Sequence, residues 1–209
     1  MKIAVIAANG KVGRLVVKEA LERGHDVTAF VRGENKSDAK KFVARDIMSI
    51  TADDLKGFDV AVDAFGTWKP ATLPMHSATL MHLCDVLSGS DVRLFVVGGA
   101  GSLYVNKEHT ARVLDDPNFP EEYKPISNAQ AKALDELRKR DDVKWTFVCP
   151  ACDFRADEPK TGKYLFGGEE LILNDKGESI IGYADYAAAM VDAIEKGDHI
   201  RERIGVCRA

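Results

Sequence analysis

The chain has 209 residues, 45% of them hydrophobic and 30% charged, with only seven prolines; this suits one sizeable folded core and excludes a disordered or fibrous chain. A net charge of −4 with both signs interspersed creates no field that draws in nucleic acid or an anionic membrane. Neither partner is expected.

The start, Met1-Lys2-Ile3-Ala4-Val5-Ile6, runs straight into strand-like sequence without a cleavage pattern. No stretch reaches bilayer length. With four scattered cysteines (Cys84, Cys149, Cys152, Cys207), a reducing, cytoplasmic location is expected. Ile3 to Ala7 reads as the first strand. A helix over 11–23 carries Val12, Leu15, Val16, Ala20 and Leu21 on one face and closes at Gly24. Strands follow at Val27 to Val31, Lys41 to Arg45 and Asp59 to Ala64, then a helix over 74–88 and a strand from Asp91 to Val97. Asn128 to Arg140 reads as a helix and Lys144 to Cys149 as the sixth strand. Residues 155–182 mix glycine, lysine and short apolar pairs, which predicts small strands or a flap over the sheet's carboxyl edge. A last helix spans Tyr183 to Lys196, and Ile204 to Cys207 closes the sheet.

Strands alternating with amphipathic helices predict βαβ units, hence an α/β fold with a doubly wound parallel sheet in a single domain over 1–209. Between the first strand and helix stand Ala7-Ala8-Asn9-Gly10-Lys11-Val12-Gly13. In that context Gly10 lets the backbone approach a pyrophosphate, Gly13 lets the helix pack on the strand, and the free amides of the helix start face the anion. Position 7 departs from the usual glycine. About twenty residues on, the second strand ends in Arg32, where an acidic residue would favour NAD and an arginine suits a 2′-phosphate. NADP(H) is therefore expected over NAD(H), with Lys11 adding charge.

These segments, with Gly24 to Arg32, Phe95-Val96-Val97-Gly98-Gly99-Ala100-Gly101-Ser102, Trp145 to Ala151 and Tyr183 to Ala187, resemble the atypical short-chain dehydrogenases/reductases. Among them the chain is most similar to the NmrA-like, NAD(P)-binding Rossmann proteins, and within those to the NADH-flavin reductases, relatives of biliverdin-IXβ/flavin reductase. The resemblance implies that Asp46 and Ile47 lie around an adenine. It implies that Ala64, Phe65 and Gly66 pass a ribose beside the nicotinamide, and that Gly98 and the stretch from Pro150 to Phe154 line the nicotinamide pocket. It also implies a Y-x-x-x-K pair on the helix before the sixth strand. Lys132 falls at that lysine, but Asn128 stands where the tyrosine belongs. Tyr123 and Ser102 are the other hydroxyls near the expected site.

A flavin needs no phenolic proton donor, so the missing tyrosine favours a flavin or quinone-like substrate over a carbonyl. Phe65, Phe154 and the 155–182 segment are the expected walls of its slot. An NmrA-like protein that senses NADP(H) without turnover is the alternative, and a nucleotide-sugar epimerase or dehydratase a third. No metal site is expected, and a monomer or homodimer is.

Overall fold

Alternation in β1 (Lys2–Ile6) explains the architecture. Ile3 and Val5 enter one core and Ala4 and Ile6 the other, so both faces of the strand are covered, as a parallel sheet requires. The computed structural model describes residues 1–209. After β1 come α1 (Lys11–Glu22), β2 (Asp26–Val31), β3 (Lys41–Ala44), α2 (Ala52–Leu55), β4 (Val60–Asp63), α3 (Met75–Leu87) and β5 (Arg93–Val97). Then follow α4 (Lys124–Leu137), β6 (Lys144–Cys149), β7 (Asp153–Arg155), β8 (Tyr164–Gly167), β9 (Ile180–Gly182), α5 (Tyr183–Lys196) and β10 (Glu202–Arg208). Eight strands form one sheet in the order β3-β2-β1-β4-β5-β6-β10-β8. All its pairings are parallel except β8 on β10. The order reverses between β1 and β4, and at such a switch point the loops diverge and leave a crevice at the carboxyl ends.

Helices α1 and α5 pack over one face, where Val16, Val17, Tyr186, Met190 and Val191 are buried. Helices α3 and α4 cover the other with Leu80, Leu83, Leu87, Leu134 and Leu137. Each such side chain contributes roughly 1.5–3 kcal/mol through burial. The Tyr186 hydroxyl, itself buried, donates to Val148 O at 2.7 Å and fixes α5 against β6.

The expected doubly wound parallel sheet is present, and β6 and α5 have the expected bounds. Helix α4 begins at Lys124 instead of Asn128, because Pro125 occupies its first turn, where the missing N–H is no loss. The 155–182 segment is anchored along its length. Lys160 Nζ lies 2.6 Å from Glu19 on α1, and buried Asp185 accepts from Thr161 N, Thr161 Oγ1 and Gly162 N at 2.9, 2.6 and 2.8 Å. Strand β8 closes the sheet's edge, β7 and β9 pair separately, and Leu171 N donates to Tyr104 O at 2.8 Å. No helix is long and apolar enough to cross a membrane.

Helix α1 sits so close to β1 that a Cβ on Gly13 would lie 2.8 Å from Ala7 O and 3.0 Å from Ala8 Cα. These are backbone atoms, so only separation of helix and strand makes room. Gly13→Ala is expected to destabilise the fold by about 1–3 kcal/mol, as overpacking does; urea unfolding checks this, and an unchanged midpoint would contradict it.

Candidate functional site

The turn from β1 to α1 is built on Ala7, whose φ of 57° is left-handed. An L-residue pays about 1–2 kcal/mol for that conformation, which is why glycine usually stands there. Gly10 N closes the turn on Ala7 O at 3.0 Å, and Gly10 itself is extended. The first helical hydrogen bond of α1 runs from Arg14 N to Gly10 O at 2.9 Å. The amides of Lys11, Val12 and Gly13 therefore have no intrahelical acceptor. No side chain caps this end, and its first turn holds no acid. Ala64 O lies 3.8 Å from where a Gly10 Cβ would be, so the exit of β4 borders the turn.

Cations gather at this helix start. Lys11, Arg14 and Arg32 are exposed, and none forms an ion pair, whereas Lys18 on the next turn pairs with Glu22 and Arg23 with Glu19, Asp192 and Glu195. Arg14 was not foreseen; its spacing of one turn from Gly10 was the available signal. Asn9, expected to bind the cofactor within this turn, also holds a neighbouring loop. Its Nδ2 donates to Glu34 O at 2.8 Å and its Oδ1 accepts from Lys36 N at 2.7 Å, so it clamps the loop that carries Arg32 onto the turn.

The remaining nucleotide candidates lie along the same carboxyl edge. Asp46 caps a 3-10 turn by accepting from Met48 N at 2.9 Å, while Ile47 is buried in the α3/α4 core. Phe65 is half-buried on that face and Gly66 exposed. Gly98 is buried where a Cβ would meet the Phe147 ring at 2.3 Å, and Pro150 is buried after β6. Phe154 packs instead on the α1/α5 face, its ring 4.0 Å from Tyr183 and 5.0 Å from Tyr186, so it and Phe65 belong to opposite faces.

Helix α4 turns the expected catalytic positions away. The Lys132 side chain is 71% exposed, with Glu136 Oε1 at 3.8 Å as its charged partner. Asn128 is exposed and bonds back to Lys124 O at 2.8 Å. The residue that α4 presents to the edge is Gln130: a Cβ on Gly99 would lie 2.1 Å from its Oε1. Buried Ile126, Ser127, Ala131 and Leu134 set the inward face, and Lys132 lies outside it. Ser102 is buried, its Oγ donating to Gly99 O at 3.1 Å and its carbonyl accepting from the Arg203 guanidinium. It closes its own turn. Tyr123 stands at the N-cap of α4, exposed, edge-to-face with Trp68 at 6.0 Å.

Beneath Phe65, a cavity of ≈ 10 Å³ is lined by Asp63, His76, Leu80, Gln130 and Phe147 among others, which is at the lower limit for one water. His76 Nε2 donates to Thr67 O at 3.1 Å, and burial keeps the ring's pKa low, hence neutral. Asp63 is 4% exposed. Its single protein donor is Phe65 N, 3.0 Å from Oδ1. Burial pushes its carboxyl up to about 6, with the Phe65 N–H opposing. The folded state therefore holds this proton more tightly than the unfolded chain, so stability falls as pH rises towards about 6, and the full cost stands above that. Asp63→Asn is expected to raise stability by about 1–3 kcal/mol near pH 8 and by roughly half as much near pH 5. Urea unfolding at both pH values checks this; an equal effect at both would show that ionisation is not the cost.

Comparison with known proteins agrees with this geometry. A family model described as NAD(P)H-binding matches residues 7–197. The uncharacterized protein YwnB of Bacillus subtilis (strain 168) is 42% identical over 209 residues, covering 99% of this chain and 98% of YwnB. The crystal structure of SP1627 from Streptococcus pneumoniae TIGR4, described as a "putative NADH-flavin reductase", superposes with a TM-score of 0.98 at 52% identity over 100% of both chains. A "putative epimerase" from Bacteroides thetaiotaomicron gives 0.86 at 33% identity, over 99% of this chain and 96% of that one. With the family model matched from residue 7 to 197, across the turn, the sheet and the edge just described, this chain belongs to the NAD(P)H-binding family.

Proposed function

We propose that this protein is an NADPH-preferring reductase that passes hydride to a flavin or a similarly flat, conjugated acceptor. The observation that carries the reading is the uncapped start of α1, with Lys11, Arg14 and Arg32 unpaired around it. Three free amides and three cations fit a pyrophosphate and a 2′-phosphate, both anionic and both short of nothing but donors. In this reading the amides of Lys11 to Gly13 hold the pyrophosphate, Arg32 holds the 2′-phosphate, and Asn9 fixes the Arg32 loop.

When bound, the reduced nicotinamide supplies a hydride. The side chains at the edge then have to orient an acceptor and exclude water; they offer no tyrosine–lysine pair, because α4 presents Gln130 and turns Lys132 outward. An amide does not ionise in the neutral range, so Gln130 cannot give a carbonyl acceptor the proton that the tyrosine–lysine pair would supply. A flavin takes hydride on a ring nitrogen and its second proton from solvent, which balances two electrons and two protons without a protein acid. The description of SP1627 as a flavin reductase supports the same acceptor class.

Aerobic oxidation of NADPH, followed by absorbance with and without riboflavin or FMN, tests the reading. Flavin-dependent oxidation is expected. Tight NADPH binding with no turnover on flavins or quinones would instead mark a sensor of the nucleotide. Arg32→Glu is expected to weaken NADPH binding by about 10- to 100-fold, the worth of one charge-assisted contact, with NADH changed little. Direct titration of both nucleotides decides it, and equal losses would remove the 2′-phosphate assignment.

A further inference from the structure

Among the large hydrophobic side chains exposed on the surface, Trp68 is the most open, at 65%. Scattered exposed apolar residues need no explanation, but Trp68 is paired. Its ring meets that of Tyr123, 44% exposed, at 6.0 Å and 72°. The two come from separate loops, one leaving β4 and one entering α4.

Both bases are held. Thr67, beside the indole, has its carbonyl bonded by His76 Nε2 at 3.1 Å and its hydroxyl 2.6 Å from that of Thr72. Tyr123 caps α4 one turn before Ser127, which packs so closely that a Cβ on Gly101 would lie 2.7 Å from its Cβ. Phe65 lies three residues before Trp68, and Gln130 faces Gly99 two turns after Tyr123. The pair therefore stands over the carboxyl edge between β4 and β5, on the α3/α4 side.

Neither polar tip is used. The indole N–H of Trp68 and the hydroxyl of Tyr123 have no hydrogen-bond partner in the protein, whereas the buried Trp145 donates to Arg140 O at 3.1 Å and Tyr186 to Val148 O. An edge-to-face pair leaves one aromatic face open, and offset stacking on it is favourable. A face with a free hydroxyl standing beside it suits a flat ring that carries carbonyl oxygens.

We infer that Trp68 and Tyr123 form the stacking platform for the acceptor ring, with Trp68 supplying the face and the Tyr123 hydroxyl reaching a ring carbonyl. The inference rests on the reductase reading for the identity of the ring, an isoalloxazine. It makes Trp68 a specificity-determining contact that the nucleotide does not share.

The test is a titration of riboflavin into the full chain saturated with NADP+, which prevents turnover, read by quenching of riboflavin fluorescence. Trp68→Ala is expected to weaken riboflavin binding about tenfold, the worth of one good stacking contact, with NADP+ affinity unchanged. Trp68→Phe should recover most of the loss, and Tyr123→Phe should show a smaller one. In turnover, Trp68→Ala should raise KM for riboflavin with kcat little altered. No riboflavin binding by the natural protein, or equal binding by Trp68→Ala, would overturn the platform. Binding that depends on Trp68 in a protein that never oxidises NADPH would uphold the platform and remove the reductase reading. Riboflavin turnover with an unchanged KM in Trp68→Ala would do the reverse.

Discussion

The contact between the Ala7 carbonyl and the bare Cα of Gly13 governs the rest of the molecule. It brings α1 down onto β1, where a methyl group would come within 2.8 Å of that oxygen. Because α1 approaches so closely, its first amides open at the carboxyl end of the sheet and not above it. That is also the point where the strand order reverses between β1 and β4. Ala7 accepts left-handed geometry to allow this, at a cost of about 1–2 kcal/mol that the buried cores on either side offset many times over.

Those cores also decide which side chains reach the edge. On α4, Ile126, Ala131, Leu134 and Leu137 must face the sheet, and once they do, Lys132 is left in solvent and Gln130 meets Gly99. Burial of apolar area outweighs any preference of a single lysine. The same logic traps Asp63: alternation along β4 sends its side chain into the α3/α4 core, where one backbone N–H does not offset desolvation.

Much of this was visible in the residues themselves. The strand–helix alternation, the turn at 7–13 and Arg32 are local signals, and a parallel sheet follows from them through short-range rules of connection. What stayed hidden depends on contacts distant in sequence. The start of α4 hinges on Pro125, which reads equally as a loop residue until the helix behind it is packed. That Asn9 also fastens the loop behind Arg32 could not be read, because nothing local shows that Glu34 and Lys36 come back to it. Of the two readings of 155–182, small strands or a flap, the strands β8 and β9 are present, while the anchor on Glu19 lies too far off in sequence to be read locally. The pairing of Trp68 with Tyr123 gives no pattern until the loops meet.

The charges on α1 carry the argument furthest. A helix favours acids in its first turn and bases in its last, each by about 0.3–1 kcal/mol. Here the first turn holds Lys11, Arg14 follows, no acid accompanies them, and the last turn holds no base. In a chain with a net charge of −4, acidic partners are plentiful, and Arg23 alone engages three. Leaving Lys11 and Arg14 unpaired therefore works against the stability of the free helix. An anion seated on the open amides reverses both terms at once, because it answers the helix dipole and neutralises the cations beside it. The free helix thus carries an unfavourable, unanswered charge at its start, which is what the proposed pyrophosphate site at these amides would relieve.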